Sequence, residues 1–121
     1  MEEKKNMVKK NTLYIVSTPI GNMEDITLRA IETLKDVDVI ICEEFKPARR
    51  LLKRLDLPGK ELISINEHNE SQDAESVITR MIQNGESMAL ISDCGTPVFS
   101  DPGHDLIRVA VEFQIPVVPI P

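Results

Sequence analysis

The segment 92–103 is the part of the sequence best suited to holding a small ligand. It reads Ser-Asp-Cys-Gly-Thr-Pro-Val-Phe-Ser-Asp-Pro-Gly, and its two prolines and two glycines restrict the path of the backbone. Because such a loop is largely ordered before a ligand arrives, its backbone groups could bind a small molecule at low entropic cost. The alternative is a long tight turn, with Asp101 or Gly103 near the start of a helix.

A second loop, 17–22, reads Ser-Thr-Pro-Ile-Gly-Asn. It contains neither a Gly-x-Gly-x-x-Gly pattern nor the Lys-Ser/Thr pair of a loop that cradles phosphates. The sequence therefore disfavours binding of dinucleotides and nucleoside triphosphates.

A run of cations forms a basic stripe on one broad face of a predicted helix, opposite the leucines at 51, 52 and 55; its members are Lys46, Arg49, Arg50, Lys53 and Arg54. The stripe could be a solvated helix face, which needs no partner. It could instead contact RNA phosphates, which would supply affinity and positioning but no base specificity. On that second interpretation the candidate RNA-binding residues are Lys46, Arg49, Arg50 and Lys53.

The elements that must position these segments alternate between strand and helix. Short apolar runs predict five strands, at Leu13–Ser17, Val37–Cys42, Leu62–Ile65, Met88–Ser92 and Val117–Ile120. Apolar residues at helical spacing predict four helices between them, over about 26–34, 47–55, 74–82 and 104–113. Because short loops cannot connect neighbouring parallel strands, we expect an α/β fold, a doubly wound, mainly parallel five-stranded sheet with helices on both faces. Ligands of such sheets bind outside the carboxyl ends of the strands.

Composition is consistent with one domain of this class. The chain has 121 residues, of which 41% are hydrophobic and 3% aromatic, so aliphatic side chains must fill the core. Residues 1–11 are mostly polar and charged and predict a flexible tail, which leaves residues 12–121 as the domain. The net charge of −6 means that nucleic acid could bind only through a local basic patch.

The remaining composition excludes several other classes. No apolar run reaches the length of a membrane span, and no signal peptide is recognisable, so we expect a cytoplasmic protein without membrane contact. Cys42 and Cys94 are expected to be reduced thiols, and no metal site is expected, because their spacing matches no zinc pattern.

Several motifs resemble the opening of the bacterial small-subunit rRNA cytidine 2′-O-ribose methyltransferases, a branch of the tetrapyrrole methylase superfamily. The matching stretches are Leu13–Ala30, Glu67–Glu70, Ile91–Pro97 with Ser100–Gly103, and Ile115–Pro121. The resemblance covers about 12–121. It implies S-adenosylmethionine as cofactor, with candidate contacts at Pro19, Asp93, Gly95, Thr96, Pro97, Val98 and Ser100.

The resemblance also implies that this chain is the N-terminal domain of a two-domain fold whose C-terminal domain lies outside it. On that expectation half of the cofactor cleft is missing, so the isolated chain should be inactive. The face that would meet the second domain should expose apolar surface, from which we expect a homodimer.

One segment departs from the family pattern. Where these rRNA methyltransferases usually have an acidic pair followed by Thr-Arg-His-Thr-Arg, this sequence has Glu43-Glu44-Phe45-Lys46-Pro47-Ala48-Arg49. Glu43 and Arg49 align, whereas the residues between them do not. Because this segment lies where a substrate would approach, the resemblance implies the cofactor more strongly than it implies the RNA acceptor.

The leading functional hypothesis is methyl transfer from S-adenosylmethionine to a ribose 2′-hydroxyl of small-subunit rRNA, a step of rRNA processing. Such a hydroxyl must lose its proton, and the titratable candidates for a general base are Glu43, Asp93 and His68, although the base could equally lie in the second domain. One alternative is a C-methyltransferase acting on a corrin or porphyrin, which the acidic composition fits slightly better. Another is a non-catalytic shortened domain that dimerises or binds a partner.

Overall fold

The computed structural model describes residues 8–18, 23–65, 70–91 and 101–121. Five parallel strands form one sheet in the order β3-β2-β4-β1-β5. The strands are β1 (Leu13–Val16), β2 (Val39–Cys42), β3 (Glu61–Ser64), β4 (Met88–Leu90) and β5 (Val117–Ile120). The helices are α1 (Leu28–Asp36), α2 (Phe45–Arg54), α3 (Glu70–Asn84) and α4 (Asp101–Glu112), and a short 3₁₀ turn, Met23–Asp25, precedes α1. The predicted α/β fold is therefore confirmed.

The three inner strands are buried along their whole length, because helices cover both faces of the sheet. α1 and α2 pack on one face through Ala30, Leu34, Ala48 and Leu52. α3 and α4 pack on the other through a set that includes Val77, Ile78, Met81, Leu106 and Val109. The side chains of each strand alternate between the two cores, as the pleat requires.

The edge strands are less buried than the inner ones, and their sequences suit that position. β5 pairs only with β1 among the described strands, with Ile15 opposite Pro119. A central strand needs its N–H groups for bonds to a neighbouring strand on each side, and a proline has no N–H group. A proline is therefore tolerated better in an edge strand, which pairs on one side only.

Two helix ends carry residues that suit their positions. The Thr27 hydroxyl accepts a hydrogen bond of 3.0 Å from the Ala30 N–H and so caps α1. Gly85 directly follows α3 with φ +66°, the left-handed conformation that glycine adopts at little cost.

Three details of the helices were predicted wrongly. α2 begins at Phe45 rather than at Pro47, and α4 begins at Asp101 rather than near His104. α3 and α4 were also each predicted to include a last apolar residue, Ile82 and Phe113, that proves to be 43% and 44% exposed. Phe113 lies beyond the last residue of α4.

Among the described residues no helix is long and apolar enough to cross a membrane.

An ion-pair cluster fastens β3 to the end of α3. The Arg80 guanidinium donates to both carboxylate oxygens of Glu61, at 2.7 and 2.8 Å, and to Glu86 at 3.0 Å. Hydrogen bonding to Arg80 is the main cause that holds the pKa of Glu61 below its ordinary value of 4.5.

We predict a pH-dependent cost for Glu61→Gln. A lowered carboxyl pKa contributes stability above the unfolded-state pKa, and this contribution is lost as the pH falls through the folded-state pKa. Because the pair is partly exposed, Glu61→Gln should lower the free energy of unfolding by about 0.2–1 kcal/mol at pH 7. Urea unfolding of both proteins at pH 7 and pH 3 should show the difference shrinking at the lower pH. An equal difference at both pH values would contradict the prediction.

Candidate functional site

The carboxyl edge of the sheet has a topological switch point at β4. This strand lies between β2 and β1. The connections that leave β1 and β2 lead to α1 and α2 on one face, whereas the connection that leaves β4 leads to α4 on the other. Connections that diverge in this way open a crevice, which is where ligands bind in open α/β sheets.

The described residues around this crevice are buried, largely uncharged and held by backbone hydrogen bonds. Val16, Thr18 and Ile91 are at most 5% exposed. The Ser17 N–H donates to Ile120 O at 3.0 Å, and the Ile91 N–H donates to Ile41 O at 2.9 Å. The strand ends therefore form a fixed floor from which the loops after β1 and β4 depart.

All seven residues predicted to bind cofactor lie outside the described residues. They are Pro19, Asp93, Gly95, Thr96, Pro97, Val98 and Ser100. His68, one of the three candidate bases, also lies outside them. For these residues the sequence prediction stands as a prediction.

Glu43 is the candidate base that the structure describes. It directly follows β2 and is half-buried at the carboxyl edge, beside the end of β4. The Ser64 hydroxyl donates to its backbone carbonyl at 2.8 Å, and the Ile65 N–H donates to Cys42 O at 2.8 Å. These bonds fix the backbone of Glu43 next to the switch point.

The basic stripe lies on the outer side of α2. The predicted RNA-binding residues Lys46, Arg49, Arg50 and Lys53 are all exposed, while Ala48 and Leu52 pack inward. Arg49 and Lys53 line one groove, whereas Lys46 and Arg50 do not line it. The structure therefore divides the stripe between a groove and an open helix face.

This groove lies between α2 and β3, and we call it the α2–β3 groove. Its volume is about 560 Å³, and its lining residues are Arg49, Leu52, Lys53, Asp56, Pro58, Lys60 and Leu62. The ammonium group of Lys60 donates to Val37 O. Partial burial lowers the pKa of Lys60, and the carboxylates of Asp38 and Asp36 act in the opposite direction.

Two members of this surface were not singled out from the sequence. Lys60 lies outside α2, so helical periodicity could not associate it with the stripe. Phe45 is 43% exposed, and its ring centroid is 5.1 Å from Cζ of Arg49. Its spacing of four residues from Arg49 was the signal that could have paired the two.

No cluster of metal-ligating side chains occurs within residues 8–18, 23–65, 70–91 and 101–121. Cys42 is buried, and Cys94 lies outside the described residues.

The fold and the carboxyl-edge crevice define a class of protein, which comparison with known families identifies. Residues 12–121 match the family model described as Tetrapyrrole (Corrin/Porphyrin) Methylases. The chain therefore belongs to the tetrapyrrole methylase family, as its motifs indicated.

Within this family, the chain is similar to curated proteins that share one name. The chain is 45% identical over 113 residues to "Ribosomal RNA small subunit methyltransferase I" of Leptospira biflexa, which covers 93% of this chain and 46% of the relative. It is 46% identical over 112 residues to the protein of the same name from Halalkalibacterium halodurans, covering 93% of this chain and 38% of the relative. The chain thus spans less than half the length of these relatives.

A solved structure agrees with the fold. The native form of uroporphyrin III C-methyl transferase from Thermus thermophilus matches with a TM-score of 0.68 at 19% identity, over 91% of this chain and 48% of the solved one. At this identity the likeness supports the five-stranded α/β architecture and nothing finer.

Thr27 connects two elements at the carboxyl edge, and a prediction follows from its two bonds. Its hydroxyl accepts from the Ala30 N–H at 3.0 Å and donates to Pro121 O at 2.7 Å. Thr27→Ala should lower the free energy of unfolding by about 1–2 kcal/mol, because the cap is lost along with the link to the end of β5. Thr27→Ser keeps the hydroxyl and should stay near the wild type. The matched control is Glu32→Ala on the exposed side of α1, and a cost for Thr27→Ala no larger than that of the control in urea unfolding would contradict the prediction.

Proposed function

We propose that this chain forms the S-adenosylmethionine-binding part of a methyltransferase that acts on small-subunit ribosomal RNA, at a cytidine ribose 2′-hydroxyl. The observation that carries the proposal is the switch point between β1 and β4, which supplies a ligand crevice in the chain's own fold. The names of relatives about 45% identical support the choice of acceptor. Such an enzyme would work in the cytoplasm, on ribosomal subunits.

The described residues fit this cofactor. Val16, Thr18 and Ile91, at the strand ends where the two loops begin, are buried and uncharged, which suits an adenosyl group better than a polyphosphate. The loops that begin beside this floor carry the candidate cofactor contacts Pro19, Asp93, Gly95, Thr96, Pro97, Val98 and Ser100. When bound, S-adenosylmethionine supplies a methyl group activated by a positively charged sulfur. Because the chain spans less than half of its relatives' length, we propose that a second domain completes the cleft and that the 121-residue chain alone is inactive.

The protein's part in the reaction is mainly positioning. The attacking oxygen, the methyl carbon and the sulfur must lie in line, and water must be excluded. The acceptor hydroxyl must also lose its proton to a base within hydrogen-bond reach. Glu43 is a base candidate because its backbone is fixed beside the switch point, and Asp93 and His68 remain the other candidates of this chain.

A second candidate function is methylation of a tetrapyrrole ring carbon. It is favoured by the family to which the chain belongs and by the net charge of −6, which suits a small-molecule enzyme. A third candidate function is that of a non-catalytic binding domain. It differs from the other two because it would transfer no methyl group to any acceptor.

Methyl transfer to competing acceptors tests the proposal. A protein of the relatives' length that contains this chain is incubated with tritiated S-adenosylmethionine and either small ribosomal subunits or uroporphyrinogen III. We expect label in the RNA, in dinucleotides that resist alkaline hydrolysis because a 2′-O-methyl group blocks it. Label in the tetrapyrrole alone would support the tetrapyrrole C-methyltransferase instead. Label in neither acceptor would favour the non-catalytic binding domain.

We further propose that the basic stripe binds RNA phosphates through Lys46, Arg49, Arg50 and Lys53. All four are exposed and lie on a helix that begins at the carboxyl edge, where an RNA acceptor would approach. They give an acidic chain the local basic patch that RNA binding requires.

A triple substitution tests the stripe. Arg49→Ala with Arg50→Ala and Lys53→Ala should weaken RNA binding, and the slope of log K against log salt should become shallower by about 0.7–0.9 for each lost contact. The control removes three exposed cations elsewhere, Lys10→Ala with Lys35→Ala and Arg108→Ala, so that both variants carry the same net charge. Equal affinity and equal salt slope in the two variants would show that the stripe is only a solvated face.

The homodimer stays a prediction. Val111, 62% exposed near the end of α4, is an apolar side chain that a partner could cover.

A further inference from the structure

The flank of α2 that faces β3 carries an aromatic ring and two cations in one line. Phe45, Arg49 and Lys53 are spaced four residues apart, so their side chains share one side of the helix. Cζ of Arg49 lies 5.1 Å from the centroid of the Phe45 ring, within cation–π range. The guanidinium thus lies against one face of the ring, and Phe45 remains 43% exposed. An exposed aromatic ring of this kind can stack on a flat partner such as a nucleobase.

The α2–β3 groove continues this line. Arg49 and Lys53 line it on the helix side, and Lys60 and Leu62 line it on the strand side. Its charged members are three cations and the single carboxylate of Asp56, within a chain whose net charge is −6. Leu52 is buried beneath it, so the groove combines a cationic rim with an apolar base. β3 is an edge strand, which places the groove at the side of the sheet.

Lys60 is arranged to meet an anion. Its ammonium group donates to Val37 O, and because an ammonium has three N–H donors, two remain for another partner. Partial burial disfavours its charged form and lowers its pKa, whereas the carboxylates of Asp38 and Asp36 favour the charged form.

We propose that the α2–β3 groove binds a single-stranded segment of RNA, with one unpaired base stacked on Phe45 and the adjoining phosphates on Arg49, Lys53 and Lys60. The proposal rests on the proposed function and adds to it the form of RNA that is recognised. Stacking on an aromatic side chain beside a cationic groove is the combination that single-stranded nucleic acids require. A paired base could not reach Phe45, because both of its faces are covered within a duplex.

The position of Phe45 relates this groove to the reaction. Phe45 follows the end of β2 by three residues, so it lies at the same edge of the sheet as the proposed cofactor crevice. Lys60 directly precedes β3 and lies at the opposite, amino edge. The RNA segment would therefore run along α2, with the stacked base at the end of the groove nearer to the acceptor nucleotide.

Two substitutions at Phe45 separate stacking from simple apolar contact. The probe is an unstructured 12-nucleotide RNA that carries fluorescein at one end and 2-aminopurine within, and anisotropy reports its affinity for this chain. Phe45→Leu should weaken binding roughly fivefold or more and reduce the quenching of 2-aminopurine, because an aliphatic side chain cannot stack. Phe45→Tyr should retain both. The salt slope should be unchanged in Phe45→Leu and shallower by about 0.7 in Lys60→Gln.

Leu28 provides the matched control. It is the first residue of α1, as Phe45 is of α2, and it is 81% exposed. Leu28→Ala should leave RNA affinity unchanged. A hairpin duplex of the same composition should bind more weakly than the single strand.

The outcomes distinguish this inference from the function on which it rests. RNA binding by the wild type with equal affinity and equal quenching in Phe45→Leu would overturn the groove and leave the proposed function standing. A duplex bound as tightly as the single strand would do the same. No binding of the 12-nucleotide RNA together with label in the small ribosomal subunits would overturn the groove alone, whereas no binding and no label in the subunits would overturn both.

Discussion

The pairing of β4 with both β1 and β2 is the constraint on which the rest of the molecule depends. Its register is the same on both sides, since Met88 lies opposite Leu13 in β1 and opposite Val39 in β2. Inserting a later strand between two earlier ones forces the chain to reverse direction across the sheet, and α3 and α4 must then cover the face that α1 and α2 leave bare. The crevice at the carboxyl edge is a consequence of that reversal.

The two edges of the sheet are stabilised differently. At the amino edge, side chains contribute much of the bonding: Asp38 accepts from the Ser87 N–H at 2.9 Å, and Arg80 joins Glu61 to Glu86. At the carboxyl edge, backbone groups and the hydroxyls of Thr27 and Ser64 are among the groups that join the described strands. Charged side chains therefore contribute to stability at the amino edge, away from the crevice proposed for the cofactor.

The sequence predicts the elements well and the surfaces poorly, for a physical reason. Burial of an apolar stripe decides where Leu34 or Ile78 must lie, so periodicity alone places both in the core. No comparable rule governs Lys60, whose place beside α2 depends on how β3 packs against that helix. Periodicity does not predict a role for Phe45 either, because an exposed aromatic ring breaks the alternation of apolar and polar residues instead of following it. For the loops after β1 and β4, the predictions come from the family motifs. The structure describes the residues on either side of these loops.

In α2, different residues hold the helix against the sheet and form its exposed surface, so this segment can depart from the family pattern. α2 is attached to the sheet by Ala48 and Leu52, with Leu51 and Leu55 partly buried beside them. Of the residues at which the sequence differs, Glu44, Phe45 and Lys46 are exposed and contribute little to that contact, whereas Ala48 takes part in it. A change there alters the surface at little cost in folding free energy, since substitutions at exposed positions usually change it by less than about 0.5 kcal/mol. The surface at the start of α2 can therefore diverge while β2, Glu43 and the switch point beside it keep the geometry of the carboxyl-edge crevice.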